Sequence, residues 1–183
     1  MEWVFAMTIS LVIDTATDRT IVGLLDGENI LFQSFAQGAT DHGRAVSDLV
    51  AQALADNPAP TQVVVGMGPG PFTGLRVGVA FAQTFAMARK IPVVGICSLD
   101  AINVEKSSYT VAIDARRKEI YWARYHNGQR IEGPSVSKPD EVSDYIIGHY
   151  PSVLEMVKQS RQQNESELFY LRRPDAVPTA ERG

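Results

Sequence analysis

Asp14 and Asp114 each close a short apolar run, Leu11-Val-Ile and Val111-Ala-Ile, so each is expected to end a buried strand where a loop begins. A carboxylate at that point in each of two facing lobes can hold magnesium and its water beside nucleotide phosphates. Thr15 and Thr17 add hydroxyls after the first aspartate. The loop after Asp114 is poorer: Ala115 has no hydroxyl, and Arg116-Arg117-Lys118 stands where a small glycine-rich turn would be needed. Asp14, Thr15, Thr17 and Asp114 therefore outline a degenerate nucleotide cleft. Bonding to backbone amides accounts for the two aspartates equally well.

The run Gly66-Met-Gly-Pro-Gly-Pro-Phe-Thr-Gly74 invites a phosphate-loop reading that its details do not support. A P-loop ends in Gly-Lys-Ser/Thr, whereas this run continues Phe72-Thr-Gly-Leu75. A dinucleotide fingerprint counted from Gly68 needs glycine where Thr73 stands. What remains is geometric, with glycines allowing tight turns and close backbone approach and Pro69 and Pro71 stiffening them. His42 has Val46 four residues on, so the i, i+4 histidine pair that grips a metal on one helix face is broken. His126 and His149 lack ligand-like neighbours, and no metal site is expected. Cys97 lies in an apolar run, as a core thiol would, which leaves a peptidase without a nucleophile. A nuclease would need carboxylates on neighbouring strands, and residues 62–67 carry none.

The elements that position these residues follow from pattern. Residues 8–14 read as a buried strand, followed by strands over 20–25 and 29–35 joined through Asp26-Gly27, a hairpin signal. A helix is expected from 42 to about 55, with Thr40 or Asp41 as cap and Asn57-Pro58 as stop. A strand over 62–67 enters the glycine run. A second helix follows from 73 to 89, capped by Thr73, with Arg89 and Lys90 at its negative end. A strand over 92–97 completes the order β-β-β-α-β-α-β. That order is the ribonuclease-H-like lobe of actin-like and sugar-kinase-like proteins.

The chain then begins again. Val111-Ala-Ile-Asp114 echoes Leu11-Val-Ile-Asp14, a second strand covers 119–125, and Asn127-Gly128 matches Asp26-Gly27. After the third strand come a helix over 139–147 and another opening at Pro151 with Val153, Leu154 and Val157. No counterpart of the 62–67 strand is evident. The expectation is one complete lobe, residues 1–104, and a second, shortened lobe, residues 105–183.

Composition bounds the function. The chain is 45% hydrophobic and 21% charged with net charge −4, which argues against a free-standing nucleic-acid binder. The densest basic groups are Arg116, Arg117 and Lys118, with Arg172 and Arg173; inside a larger assembly the first three are the candidates for touching a nucleic-acid backbone. A lone cysteine excludes an internal disulfide and fits a reducing compartment. No stretch approaches the roughly 20 apolar residues a membrane helix needs, so no membrane role and a cytoplasmic location are expected. Translation starting at Met7 would leave six residues as an extension.

The second helix is apolar nearly all round: Leu75, Val79, Ala82 and Ala86 on one face, Val77, Phe81, Phe85 and Ala88 on another. Such a helix cannot lie on a sheet with its back in water, so its second face is expected to meet the first helix and another polypeptide.

The segment Gly68-Pro-Gly-Pro-Phe-Thr-Gly-Leu-Arg-Val-Gly-Val79 resembles the Gly-Pro-Gly-Ser-Phe-Thr-Gly-Leu-Arg-Ile-Gly signature of the TsaB (YeaZ) family, with Pro71 replacing the serine. Val12-Ile-Asp-Thr-Ala-Thr17 is similar to the family's opening strand and loop. Ala112-Ile-Asp-Ala-Arg-Arg-Lys-Glu-Ile-Tyr121 is similar to its second-lobe opening, and Leu171-Arg-Arg-Pro-Asp175 to its C-terminal end. Family members have a longer second lobe, the missing part falling between residues 147 and 168.

The resemblance implies a non-catalytic paralogue of TsaD, acting with TsaD and TsaE in threonylcarbamoyl-adenosine formation on tRNA. It implies that the first-lobe helices pair with TsaD, or with a second copy when the chain is alone. On this chain that face would comprise His42, Ala45 and Leu49 of the first helix, with Thr73, Gly74, Arg76, Val77, Gly78, Ala80, Phe81, Gln83 and Thr84 of the second. No cofactor is implied beyond weak ATP or ADP binding at a subunit interface. The alternatives are an actin-like-fold ATPase or small-molecule kinase and, behind them, a glycoprotease-type peptidase.

Overall fold

The structure, a computed structural model, describes residues 8–38 and 41–171. Met1, Met7, Thr40, Arg172, Arg173 and the rest of the segment 171–175 beyond Leu171 lie outside the described residues, and the expectations attached to them with it.

Strands β1 (Ile9–Asp14), β2 (Arg19–Asp26) and β3 (Asn29–Gln37) form an antiparallel meander. Helix α1 (His42–Leu54), strand β4 (Gln62–Gly66), helix α2 (Phe72–Arg89) and strand β5 (Val93–Ile96) follow. β4 pairs parallel to β1 and β5 parallel to β4, giving a five-stranded sheet in the order β3-β2-β1-β4-β5. This is the ribonuclease-H-like order, and the expected lobe is present in full.

Both faces of the sheet are covered, which is why β1 and β4 are apolar without alternation. Leu11, Ile13, Val63 and Val65 face α1 and α2, joined by Val46, Val50, Val79 and Ala82. Val12, Val64, Leu25 and Ile96 face the opposite way, toward a third helix, α3. That helix (Val153–Ser160) comes from the far end of the chain and buries Val153, Met156 and Val157 on the first sheet. Gly23 on β2 makes room for it, since a Cβ there would lie 2.7 Å from Val153 Cγ1.

A 3-10 turn (Ser98–Ala101) leads to β6 (Ser108–Asp114), β7 (Ile120–His126) and β8 (Gln129–Ser137), a second antiparallel meander that repeats the first. The helix expected over 139–147 is not formed. Pro139–Glu141 is a single 3-10 turn, and Tyr145–Ile146 forms a short strand, β9, parallel to β6. β9 thus takes the place beside β6 that β4 takes beside β1, so the counterpart strand exists after all. It is reached without an intervening helix, and the second sheet, β8-β7-β6-β9, is a shortened copy of the first. The architecture is actin-like/sugar-kinase-like, with one complete lobe and one truncated one.

Two helix starts differ from expectation. Asp41 occupies the α1 cap position but makes no side-chain cap hydrogen bond. α2 begins at Phe72 with Pro71 as cap residue, so Thr73 lies inside the first turn. Proline pre-sets the backbone for entry where no amide donor is required.

After α3 the chain runs back as a strap. Glu165 N–H donates to Gly95 O at 2.7 Å, and Phe169 N–H to Met67 O at 2.9 Å. Phe169 packs against the cores of both lobes. Among the described residues no helix is long and apolar enough to cross a membrane.

Candidate functional site

Asp14 is fully buried at the end of β1. Its Oδ2 accepts a hydrogen bond from Ser98 Oγ at 2.6 Å, and its Oδ1 accepts one from Ala16 N–H at 3.0 Å. Burial pushes its pKa up from 3.8 to about 6, against the lowering effect of those two donors. Gly66 closes the space on its far side, since a side chain there would overlap the carboxylate. The group is a satisfied internal carboxylate that faces no cleft.

The loop after Asp14 is filled by the glycine run. Thr15 is buried and its Oγ1 donates to Gly74 O at 2.7 Å. A Cβ at Gly70 would lie 2.8 Å from Ala16 Cα and overlap Ala16 O; one at Gly74 would lie 2.7 Å from Thr15 O. One at Gly78 would overlap Thr15 Oγ1. Gly70, Gly74 and Gly78, spaced by four, therefore form a bare stripe against which residues 15–16 lie directly. Gly68, at φ +94°, makes the turn that brings the run into place. Where a phosphate would meet backbone amides, the chain meets itself.

The four expected cleft residues therefore separate. Thr17 and Asp114 line an inter-lobe cleft of about 170 Å³ together with Arg116 and His149, whereas Asp14 and Thr15 sit beneath it, out of reach. Asp114 is exposed and accepts a hydrogen bond from Arg116 N–H at 2.9 Å. Arg116, Arg117 and Lys118 are exposed, with φ values of 60°, 54° and 63°, making a left-handed turn between β6 and β7. Cys97 is buried with its thiol pushed up to about 12, chiefly by burial. A thiol so held stays protonated and unreactive. Among the described residues no cluster of His, Cys, Asp and Glu could hold a metal ion.

His42 is not a surface histidine. It is buried at the start of α1, with Nδ1 2.8 Å from Thr20 Oγ1 and Nε2 over the position a Cβ of Gly74 would take. Burial holds its pKa below the ordinary value. Leu49, Gly74 and Gly78 are also buried in the chain's own core, so of the twelve expected interface residues these four present no surface. Ala45, Val77 and Phe81 are half-buried, the last two against the first core. Val79 faces inward. Thr73, Arg76, Ala80, Gln83 and Thr84 are exposed, and with Met87, 76% exposed, they form the outer stripe of α2. Val77, Phe81 and Phe85, read as the second apolar face, largely serve the first core instead.

Sequence reasoning missed Ser98, Met87 and Tyr170. Tyr170 packs against Phe72 with centroids 4.9 Å apart and the rings tilted by 39°, and accepts a hydrogen bond from Arg76 Nε at 3.3 Å. Only the apolar start of the tail hinted at a docked strap.

The family described as TsaD, tRNA N6-adenosine threonylcarbamoyltransferase, matches residues 36–176. The tRNA threonylcarbamoyladenosine biosynthesis protein TsaB of Escherichia coli is 30% identical over 149 residues, covering 73% of this chain and 64% of its own length. The chain belongs to this family, in its TsaB (YeaZ) branch.

An uncharacterized protein of Mycobacterium leprae is 39% identical over 204 aligned positions, covering 94% of this chain and 57% of that protein. The chain thus spans roughly three fifths of the length of these relatives. The aligned span exceeds the 183 residues of the whole chain, so the relative carries internal segments absent here. A Pseudomonas aeruginosa protein, described by its similarity to peptidase YEAZ, superposes with TM-score 0.77 at 21% identity, covering 91% of this chain and all of that one. At that identity the likeness bears on fold alone.

Proposed function

We propose that this chain is the scaffold subunit of a threonylcarbamoyl-adenosine-forming assembly, pairing through α2 with a TsaD-type catalytic subunit and holding it in its active arrangement. The observation that carries the reading is the seating of α2. Backbone-to-backbone packing of Gly70 and Gly74 on residues 15–16 closes the loop that would otherwise receive a phosphate. It also fixes the helix so that Thr73, Arg76, Ala80, Gln83, Thr84 and Met87 face outward in a set position. A small residue, Ala80, sits at the middle of that stripe, where a partner helix can approach closely.

On this reading the chain has no catalytic residue of its own. TsaE supplies ATPase activity, any ATP or ADP is held weakly at a subunit interface, and tRNA is met only through the complex. Arg116, Arg117 and Lys118 are the groups for a phosphate contact. The isolated chain pairs with a second copy through the same stripe, and the assembly works in the cytoplasm. Residues 1–104 act as the partner-binding lobe and 105–183 as the shortened second lobe, with α3 and the strap returning to brace the first.

The test is a pull-down of the tagged full chain from its native cells, followed by tRNA nucleoside analysis after depletion. Recovery of a TsaD-type protein and loss of threonylcarbamoyl-adenosine are expected. A purified chain that hydrolyses ATP unaided, and stops doing so on Asp14→Asn, would establish the ATPase reading instead.

A further inference from the structure

Arg76 lies on the exposed stripe of α2, and its guanidinium has two supports. Cζ stands 3.8 Å from the centre of the Phe72 ring, and Nε donates to the Tyr170 hydroxyl. Tyr170 packs against Phe72 in turn, the rings tilted. The strap that carries Tyr170 is pinned by backbone hydrogen bonds to Gly95 and Met67, and Gly95 admits no side chain because a Cβ would overlap Glu165 O. The frame around Arg76 is therefore built from the glycine run and the C-terminal strap together. Its two Nη groups make no hydrogen bond or ion pair among the described residues.

A guanidinium seated over an aromatic ring and bonded through Nε leaves its two Nη groups for bidentate binding of a planar anion. Beside it runs a groove of about 560 Å³, with Met67 and Val79 lining it, Ala80 and Gln83 along one wall, and Glu167 and Leu168 along the other. A nucleic-acid backbone would require several cations, whereas Arg76 is the one cation among the groove's lining residues and Glu167 opposes it. The apolar lining and the single arginine suit a protein carboxylate.

We propose that Arg76 and the groove between α2 and the strap receive a segment of the partner protein that carries a carboxylate beside an apolar side chain. The carboxylate pairs with the Nη edge of Arg76, and the apolar side chain enters the groove over Met67. This rests on the reading of α2 as the partner face, and it makes the strap part of that face.

The experiment measures Kd between the full chain and the TsaD-type subunit of the same genome at low and high salt, with circular dichroism of each variant as a folding check. Arg76→Gln is expected to weaken binding by about tenfold or more and to flatten its salt dependence, and Arg76→Lys to fall between. Tyr170→Phe, which keeps the ring contact and removes the Arg76 hydrogen bond, should weaken binding a few-fold, and Gln83→Trp should block the groove. Undiminished affinity for folded Arg76→Gln and Gln83→Trp, while Ala80→Asp still weakens binding, would overturn this proposal and leave the partner face standing. Undiminished affinity for all of them would overturn both. Loss of tRNA binding on Arg76→Gln with partner affinity unchanged would assign the arginine to a phosphate and likewise overturn it.

Discussion

Asp14→Asn tests whether Asp14 is a desolvated carboxylate whose charge works against the fold, because removing that charge should then raise stability. The asparagine can keep both contacts, its Oδ1 accepting from Ala16 N–H and its Nδ2 donating to Ser98 Oγ. What it loses is the charge. The Asp14 pKa is about 6 in the folded chain against 3.8 when unperturbed, so the native state holds the proton more tightly than the unfolded chain. The associated stability is fully present below pH 3.8 and is lost as the pH rises through about 6. At about 1.36 kcal/mol per pKa unit, ionised Asp14 costs the fold on the order of 3 kcal/mol at neutral pH. Asp14→Asn should therefore be more stable than the wild type near neutrality by up to about that amount, and the difference should vanish in acid. Urea unfolding followed by circular dichroism at a series of pH values reads this directly, as a midpoint shift of roughly 1–2 M at neutral pH. A variant less stable than wild type at neutral pH, or a difference that does not change with pH, would refute the argument.

Gly70→Ala forces a methyl against the backbone of Ala16, which has no free end to give way. A loss of about 3 kcal/mol and a Tm lower by roughly 6–12 °C are expected in a thermal melt. Gly23→Ala drives its Cβ into Val153 and should loosen α3; Val153→Ala costs stability alone but should recover part of the Gly23→Ala loss in a double-mutant cycle. Strictly additive losses would show that α3 does not rest on Gly23. Cys97, buried with its thiol pushed up to about 12, should stay unmodified by a thiol reagent at neutral pH in the folded chain and react once urea unfolds it.

The first lobe was legible because its signals agree across levels. Asp26-Gly27 marks the β2–β3 hairpin, the continuous apolar runs of β1 and β4 announce a sheet covered on both faces, and α2 is bounded by proline and glycine before it and by basic residues at its end. β9 was missed because two residues are too short to display a period, and the polar stretch around them resembles a helix opening as much as a loop. The burial of His42 and Leu49 was equally hidden. Helical spacing marks an apolar face, but it does not say whether the chain's own sheet or a second protein covers that face. The closed loop did leave a trace, in the four-residue spacing of Gly70, Gly74 and Gly78. Its significance needed the sight of Thr15 and Ala16 lying against that stripe. Ser98 carried no local signal, because it meets Asp14 only through the parallel pairing that places β5 two strands from β1.

On the proposed function, the outer stripe of α2 is the surface through which this chain works. Ala80 is exposed at the middle of the stripe, so an aspartate there is harmless to the free chain, where it can pair with Arg76 one turn back, but in a complex it puts a charge and added bulk where the partner must pack closely. The deciding measurement is the affinity of wild-type and Ala80→Asp chains for the TsaD-type subunit of the same genome, with both chains shown to be folded. Tight binding by the wild type and loss of about tenfold or more by the variant are predicted, since desolvating a charge at a packed interface is costly even when a neighbouring arginine pairs with it. Equal binding by the two chains would contradict the account.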